Sequence, residues 1–322
     1  MNIIITSAGR RVSLVRGFQK ELKELVPNGK VYASDSYPET SAACHVADGY
    51  VKAPLLNHPD YIDHLLQFCM QNSISMVIPT IDTELMILAT NKDRFEANNI
   101  KVIISSAEFI IKCRNKRIIH EFFRSRGIAV AKEYNKDNYI LPLYIKPIDG
   151  SGSIDNSIIR SRNDFKEGHF KNEKLMFLEY LDHNDYDEFT CDLYYDKNGS
   201  LKCAVPRKRI KLRDGEVNKG VTLRNELVPY LLKHLNKIEG AKGCLTVQFF
   251  KHRTSNEIYG IEINPRFGGG YPLAYLAGAN FPKWLIQEYL FEEEINEKFD
   301  TWESNLLMIR YDDEILVHGY TS

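Results

Sequence analysis

Leu245-Thr-Val-Gln-Phe-Phe250 and Tyr259-Gly-Ile-Glu-Ile-Asn-Pro-Arg-Phe-Gly-Gly-Gly270 are two β-prone runs separated by a short polar stretch, the pattern of adjacent antiparallel strands. With the turn centred near Ser255, Gln248 stands opposite Glu262 and Thr246 opposite Asn264. Strand side chains alternate faces, and directly opposed ones sit about 5 Å apart. One face therefore carries Gln248, Glu262 and Asn264, while Val247, Phe249, Ile261 and Ile263 turn to the other. Three oxygen-bearing side chains over an apolar support suit a hard divalent cation, Mg²⁺ or Mn²⁺. Arg266, two residues beyond Asn264, is placed to meet an anion held by that metal. An ordinary hairpin with a polar outer face accounts for each residue singly. It does not account for an apolar strand that ends in Glu-x-Asn-Pro-Arg.

The first hundred residues alternate strand and helix. Asn2–Thr6, Val31–Ser34, Met76–Pro79 and Lys101–Ser105 read as strands. Arg11–Leu25, Pro59–Gln71 and Thr83–Asn98 carry helical apolar spacing. Such alternation predicts a parallel sheet covered by helices, with ligands beyond the carboxyl ends of its strands. Those ends are Thr6–Arg11, Asp35-Ser36 and Thr80–Glu84. A single glycine at Gly9 falls short of a dinucleotide fingerprint. Arg10, Arg11 and Asp82 fit a substrate contact or, equally, a helix start and a solvated loop.

Beyond residue 114 the pattern changes. Lys116–Gly127 is an amphipathic helix, followed by short strands at Ala129–Tyr134, Leu143–Lys146, Ser157–Arg160 and Leu175–Leu181. Strands Glu188–Tyr195, Leu201–Pro206, Gly243–Phe250 and Tyr259–Asn264 come next, with helices over Val228–Ile238 and Phe281–Phe291. Leu306–Tyr311 and Ile315–Val317 read as a closing strand pair. The expected division is an α/β unit at 1–107, a small α+β unit at 108–182 and a third unit at 183–322.

Leu143-Tyr-Ile-Lys-Pro-Ile-Asp-Gly-Ser-Gly-Ser153 places Lys146 at a strand end held extended by the following proline. A fixed ammonium there suits phosphate oxygens. Gly150, Ser151, Gly152 and Ser153 give backbone amides the freedom to curl over an anion. Phe177-Leu-Glu-Tyr-Leu181 leads into an acidic stretch. Such a strand end can offer backbone groups to an adenine edge while Glu188 accepts ribose hydroxyls. Arg207, Lys208 and Arg209 fit phosphate, an anionic substrate or a solvated edge.

Composition narrows the field. The 322 residues are 43% hydrophobic and 26% charged with a net charge of −1, which gives no reason to invoke nucleic acid or an anionic membrane. The start lacks the cationic lead and long apolar stretch of a signal peptide, and no apolar run approaches the roughly 20 residues of a membrane span. Six scattered cysteines without Cys-x-x-Cys pairs read as reduced, mostly buried thiols of a cytoplasmic protein.

In order, Lys116, Lys146-Pro, the Gly-Ser loop, Glu179-Tyr180-Leu181, Glu188, Gln248 and Glu262-x-Asn264-Pro-Arg266 resemble the ATP-grasp superfamily. The nearest likeness is to one unit of the carbamoyl-phosphate synthase large chain, which also has Gln at the first metal position. The resemblance implies an ATP-grasp fold behind a parallel-sheet α/β domain. It implies ATP and Mg²⁺ as cofactors, with Lys116 and Lys146 on phosphates and Gly150–Ser153 as a flap. Glu179, Tyr180 and Leu181 would frame adenine and Glu188 would hold ribose. Gln248, Glu262 and Asn264 would bind the metal and Arg266 would steady the transferred phosphoryl group. One unit is too little for a full synthase. The expected reaction is ATP-dependent activation of a carboxylate or bicarbonate-like substrate as an acyl phosphate, then attack by an amine. Release of the phosphorylated product, or nucleotide binding without turnover, are the alternatives. Lys146, Arg209 and Arg266 are the expected catalytic cations, Arg207 a further phosphate contact. The acceptor pocket is expected among Arg207, Arg209, Lys219-Gly220, Arg266 and Gly268–Tyr271, although the three glycines equally suit a tight turn. A homodimer acting on small molecules completes the expectation.

Overall fold

The Asn2–Thr6 run, with three consecutive isoleucines, is buried on both faces: Ile3 and Ile5 enter one core and Ile4 the other. Only an interior strand of a two-sided sheet needs that pattern. In the computed structural model, which describes residues 1–150, 155–213 and 215–320, this strand, β1, is central. It lies in a parallel sheet with β2 (Val31–Asp35), β3 (Gly49–Lys52), β4 (Ile74–Pro79) and β5 (Lys101–Val102), in the order β3-β2-β1-β4-β5. The edge strand β3 and the short helix Ala42–Val46 were not expected; half-polar edge residues carry little periodic signal. The expected helix Thr83–Asn98 is two, Asp82–Thr90 and Lys92–Glu96. Asn91 separates them, its side-chain amide donating to the Ile87 carbonyl at 2.9 Å. The expected strand Lys101–Ser105 pairs only at its first two residues.

A second sheet, antiparallel, contains β6 (Glu133–Tyr134), β7 (Leu143–Pro147), β8 (Ser157–Ile159) and β9 (Leu175–Glu179), in the order β6-β9-β7-β8. The strand expected from Ala129 pairs in this sheet only at Glu133 and Tyr134, and Ala129 bridges to Tyr259 instead.

The third sheet has β10 (Tyr186–Tyr195), β11 (Leu201–Arg213), β12 (Glu216–Thr222), β13 (Gly243–His252), β14 (Ile258–Asn264) and β15 (Leu307–Ile309). Its order is β14-β13-β10-β11-β12-β15, all antiparallel. β11 continues past Pro206, through the basic run, to Arg213, and β12 returns beside it. The expected closing strand pair does not form: β15 pairs with β12, and 315–317 has no strand. The first and third sheets share one core, in which Ile3, Ile5 and Phe18 meet Tyr194, Val205, Phe267 and Trp284. No helix among the described residues is long and apolar enough to cross a membrane.

Candidate active site

The hairpin register is the one that alternation predicts: Gln248 opposes Glu262 and Thr246 opposes Asn264. Immediately beyond, the register shifts and Phe249 opposes Gly260. Ile261 is the extra residue of this bulge, and the alternation slips there. It does not join Val247, Phe249 and Ile263 in the core, as a regular hairpin would have it, but lines the cleft. Gly260 lies flat on the Phe123 ring, where a Cβ would come within 2.7 Å of Cδ2.

Gln248, Glu262 and Asn264 share one wall of a cleft of about 590 Å³ that all three sheets border. Asn264 Nδ2 donates to Glu262 Oε1 at 2.9 Å, which leaves the amide oxygen Oδ1 of Asn264 available as a ligand. The described residues hold no cluster of three His, Cys, Asp or Glu; this wall offers one carboxylate and two amides. Those hard oxygens fit a divalent cation whose remaining positions are filled by an anionic ligand such as phosphate.

Apart from Lys208, the cleft gathers every described residue picked out above for nucleotide or metal: Lys116, Lys146, Gly150, Glu179, Tyr180, Leu181, Glu188, Arg207, Arg209, Gln248, Glu262, Asn264 and Arg266. Ser151, Gly152 and Ser153 fall outside the described residues. Lys116 opens the Lys116–Ser125 helix, whose first amides are capped by the Asn115 side chain. Its Nζ donates to the Gly150 carbonyl at 3.0 Å. Lys146, at the end of β7, is 6% exposed. Burial lowers its pKa to about 8, with Glu262 pulling it up and Lys116 pushing it down. Glu179 is tied to Lys132: its N–H donates to the Lys132 carbonyl at 2.8 Å, and Oε2 accepts from the Lys132 N–H at 3.3 Å. β9 ends there, so Tyr180 and Leu181 enter the cleft with backbone that no strand takes up.

His120 was not anticipated. It lies one turn beyond Lys116, on the same helix face, and is 2% exposed at the cleft wall. Burial, helped by Lys146, lowers its pKa to about 3, so the ring is neutral. Neither ring nitrogen makes a well-formed hydrogen bond among the described residues, although the Ile261 backbone faces the ring. The i, i+4 spacing from Lys116 is the signal that could have found it.

The basic run departs from its expected role as a strand-end cluster. Within β11, Arg207 and Arg209 face the cleft, and Lys208 turns away to Asp187 at 2.7 Å. Arg207 is fully buried, with Nε and Nη2 engaged by Asp192 at 2.5 and 3.0 Å. Arg209 pairs with Glu188.

The far end of the cleft differs from the expected acceptor pocket. Lys219 and Gly220 do not line it. Tyr271 is in the core, its hydroxyl donating to the Ala279 carbonyl and accepting from the Phe281 N–H, both at 2.9 Å. The first sheet supplies Arg10, Arg11 and Asp82 instead. Asp82 accepts from Arg266 Nη2 at 2.7 Å and from Nε at 3.2 Å. Gly268–Gly270 are held by close approach as well as by a turn: a Cβ on Gly269 would sit 2.5 Å from the Glu216 carboxyl carbon.

A family model described as "PylC-like, N-terminal domain" matches residues 3–103, and one described as "ATP-grasp in the biosynthetic pathway with Ter operon" matches 171–308. None of the curated proteins compared matches the chain. Among solved structures, a biotin carboxylase domain dimer of Hydrogenobacter thermophilus 2-oxoglutarate carboxylase, in complex with MgADP, ADP and bicarbonate, is 16% identical. It aligns over 95% of this chain and 73% of its own, with a TM-score of 0.71. L-amino acid ligase from Bacillus licheniformis is 18% identical over 92% of this chain and 77% of its own, TM-score 0.66. Rhizobium etli pyruvate carboxylase T882A, with the allosteric activator acetyl coenzyme A, is 16% identical and TM-score 0.64. That match takes in 87% of this chain, which spans only 27% of the carboxylase.

Proposed function

We propose that the chain, which the ATP-grasp family model matches over residues 171–308 and the PylC-like N-terminal model over 3–103, is an ATP-grasp protein acting as an ATP-dependent, ADP-forming ligase. It would phosphorylate the carboxylate of a small molecule to an acyl phosphate and couple that to an amine. The observation that carries the reading is the single cleft in which Lys146 of the small sheet faces Glu262 of the large one, with an Asp82-oriented Arg266 further along. The adenine edge would meet the unpaired backbone of Tyr180 and Leu181, and Glu188 the ribose. Lys116 and Lys146 would take the phosphates, with Gly150 opening the flap over them. Gln248, Glu262 and Asn264 would hold Mg²⁺, which when bound neutralises charge on the phosphoryl group in transfer.

A carboxylate acylates poorly because oxide is a bad leaving group, and phosphorylation replaces it with a good one. The protein's part is positioning and charge compensation. No side-chain nucleophile is required. The Bacillus ligase supports carboxylate and amine substrates, and the Hydrogenobacter complex supports MgADP chemistry and a homodimer. Gln248 supports the narrower likeness to carbamoyl-phosphate synthase units. Six buried free cysteines suit the reducing cytoplasm.

The test is a screen of paired carboxylates and amines with Mg-ATP, following ADP release and identifying products by mass spectrometry. An amide is expected. Glu262→Ala should lower kcat by about 10²-fold or more while the chain still folds with a cooperative thermal transition. Wild-type turnover in that variant would refute the metal assignment, and free acyl phosphate without amide would refute the coupling step.

A further inference from the structure

Arg11 is a desolvated cation without a hydrogen-bonded partner among the described residues. Its side chain is 16% exposed, and its nearest carboxylate oxygen, Glu216 Oε1, is 4.0 Å away. No hydrogen bond reaches its guanidinium from the described residues. Burial, then the charge of Arg266, lowers its pKa to about 10. Its described neighbours do not supply the missing anion. Asp82 is engaged by Arg266. Glu216 gives Oε2 to Arg310 at 3.0 Å, and its Oε1 is shared between Arg10 at 3.6 Å and Arg11. Four guanidinium groups thus stand against two carboxylates, leaving two positive charges uncompensated among the described residues. Arg207 and Arg209 do not alter this, because Asp192 and Glu188 neutralise them.

A buried cation without a counter-ion is costly, and a fold tolerates it where a ligand supplies the anion. Resting on the ligase reading, we propose that the acceptor is a small acid with two anionic groups. One is the carboxylate to be activated beside Arg266. The other is a carboxylate or phosphate held by Arg10 and Arg11. The two groups together match the two uncompensated charges. Planar guanidinium pairs recognise either anion through paired N–H donors.

The test uses the full chain saturated with Mg²⁺ and a non-hydrolysable ATP analogue, titrated by calorimetry with succinate, phosphonoacetate and butyrate. A dianion should bind about tenfold or more tighter than butyrate, the gain expected of one added partly buried charge pair. Succinate ahead of phosphonoacetate assigns a second carboxylate, and the reverse order a phosphate. Arg11→Met should abolish the preference while analogue affinity stays within about twofold. Arg10→Gln, at a 60% exposed side chain and so safe for folding, should at least weaken it. Butyrate binding as well as both dianions, or a preference untouched in both variants, overturns the proposal. If the wild-type chain fails to bind the analogue, the ligase reading falls and takes this inference with it. Analogue binding without a dianion preference sinks the inference alone.

Discussion

Lys146 shows how a residue can oppose stability in the service of a site. Its ammonium is buried beside Glu262, with Lys116 adding repulsion, and its pKa falls from 10.5 to about 8. Because the folded pKa lies below the unfolded one, the unfolded chain holds more protons between these values. The contribution of Lys146 to stability therefore rises with pH from about 8 towards 10.5, and its burial penalty is fully present below 8. Lys146→Met should raise the thermal midpoint by a few degrees at pH 7, with the gain over wild type shrinking as pH rises from 8 towards 10. It should also weaken Mg-ATP binding by about tenfold or more. Melting curves from pH 7 to 10, with a nucleotide titration, check both; a less stable variant would contradict the penalty. The lysine was legible because a proline follows it at a strand end. His120 was not, because its only mark is the i, i+4 spacing from Lys116, which any histidine on an amphipathic helix could share.

At the scale of elements, legibility followed burial. The β13–β14 register could be read residue by residue, since apolar and polar positions alternate across a half-buried hairpin. The Ile261 bulge could not, because a one-residue slip leaves composition unchanged. β11 and β12 were truncated or missed because Arg207, Arg209, Glu216 and Lys219 put charge where a core strand would show apolar residues. Their pairing is tertiary, and Gly270 is what admits it. A Cβ there would lie 2.3 Å from Arg207 Nη1 and 2.5 Å from Val217 Cγ1. Gly270→Ala must displace the guanidinium and strain its buried pair with Asp192. A broken buried pair costs about 3–5 kcal/mol, so a large fraction of that should appear in the urea unfolding midpoint. Gly168→Ala, in the helix Glu167–Lys171 with nothing within 4 Å of the new Cβ, is the control and should leave the midpoint unchanged or raise it slightly. Equal midpoints in the two variants would contradict the packing argument.

The whole molecule is two large sheets fused through one core, with a small sheet attached. The core of the small sheet, built from Leu143, Ile145, Ile159, Leu175 and Phe177, shares no residue with the others among those described. Its ties to the rest include the Lys116 N–H to Ile148 carbonyl bond at 2.7 Å and the chain passing through Tyr180 and Leu181. An element with so little shared apolar surface can shift as a body while the fused sheets stay fixed. Lys146 and Glu179 ride on it, whereas Gln248, Glu262 and Arg266 belong to the fixed part. A nucleotide touching both sets would therefore draw the small sheet inward. Hydrogen exchange should slow by about tenfold or more in β7, β9 and residues 180–181 when Mg²⁺ and a non-hydrolysable ATP analogue are added, a local effect on a low-stability unit. β1 and β4, buried in the shared sheet, should exchange at the same rate with or without it. Uniform protection across all three sheets would mean that the molecule responds as one rigid body, and the separate core of the small sheet would then have no mechanical meaning.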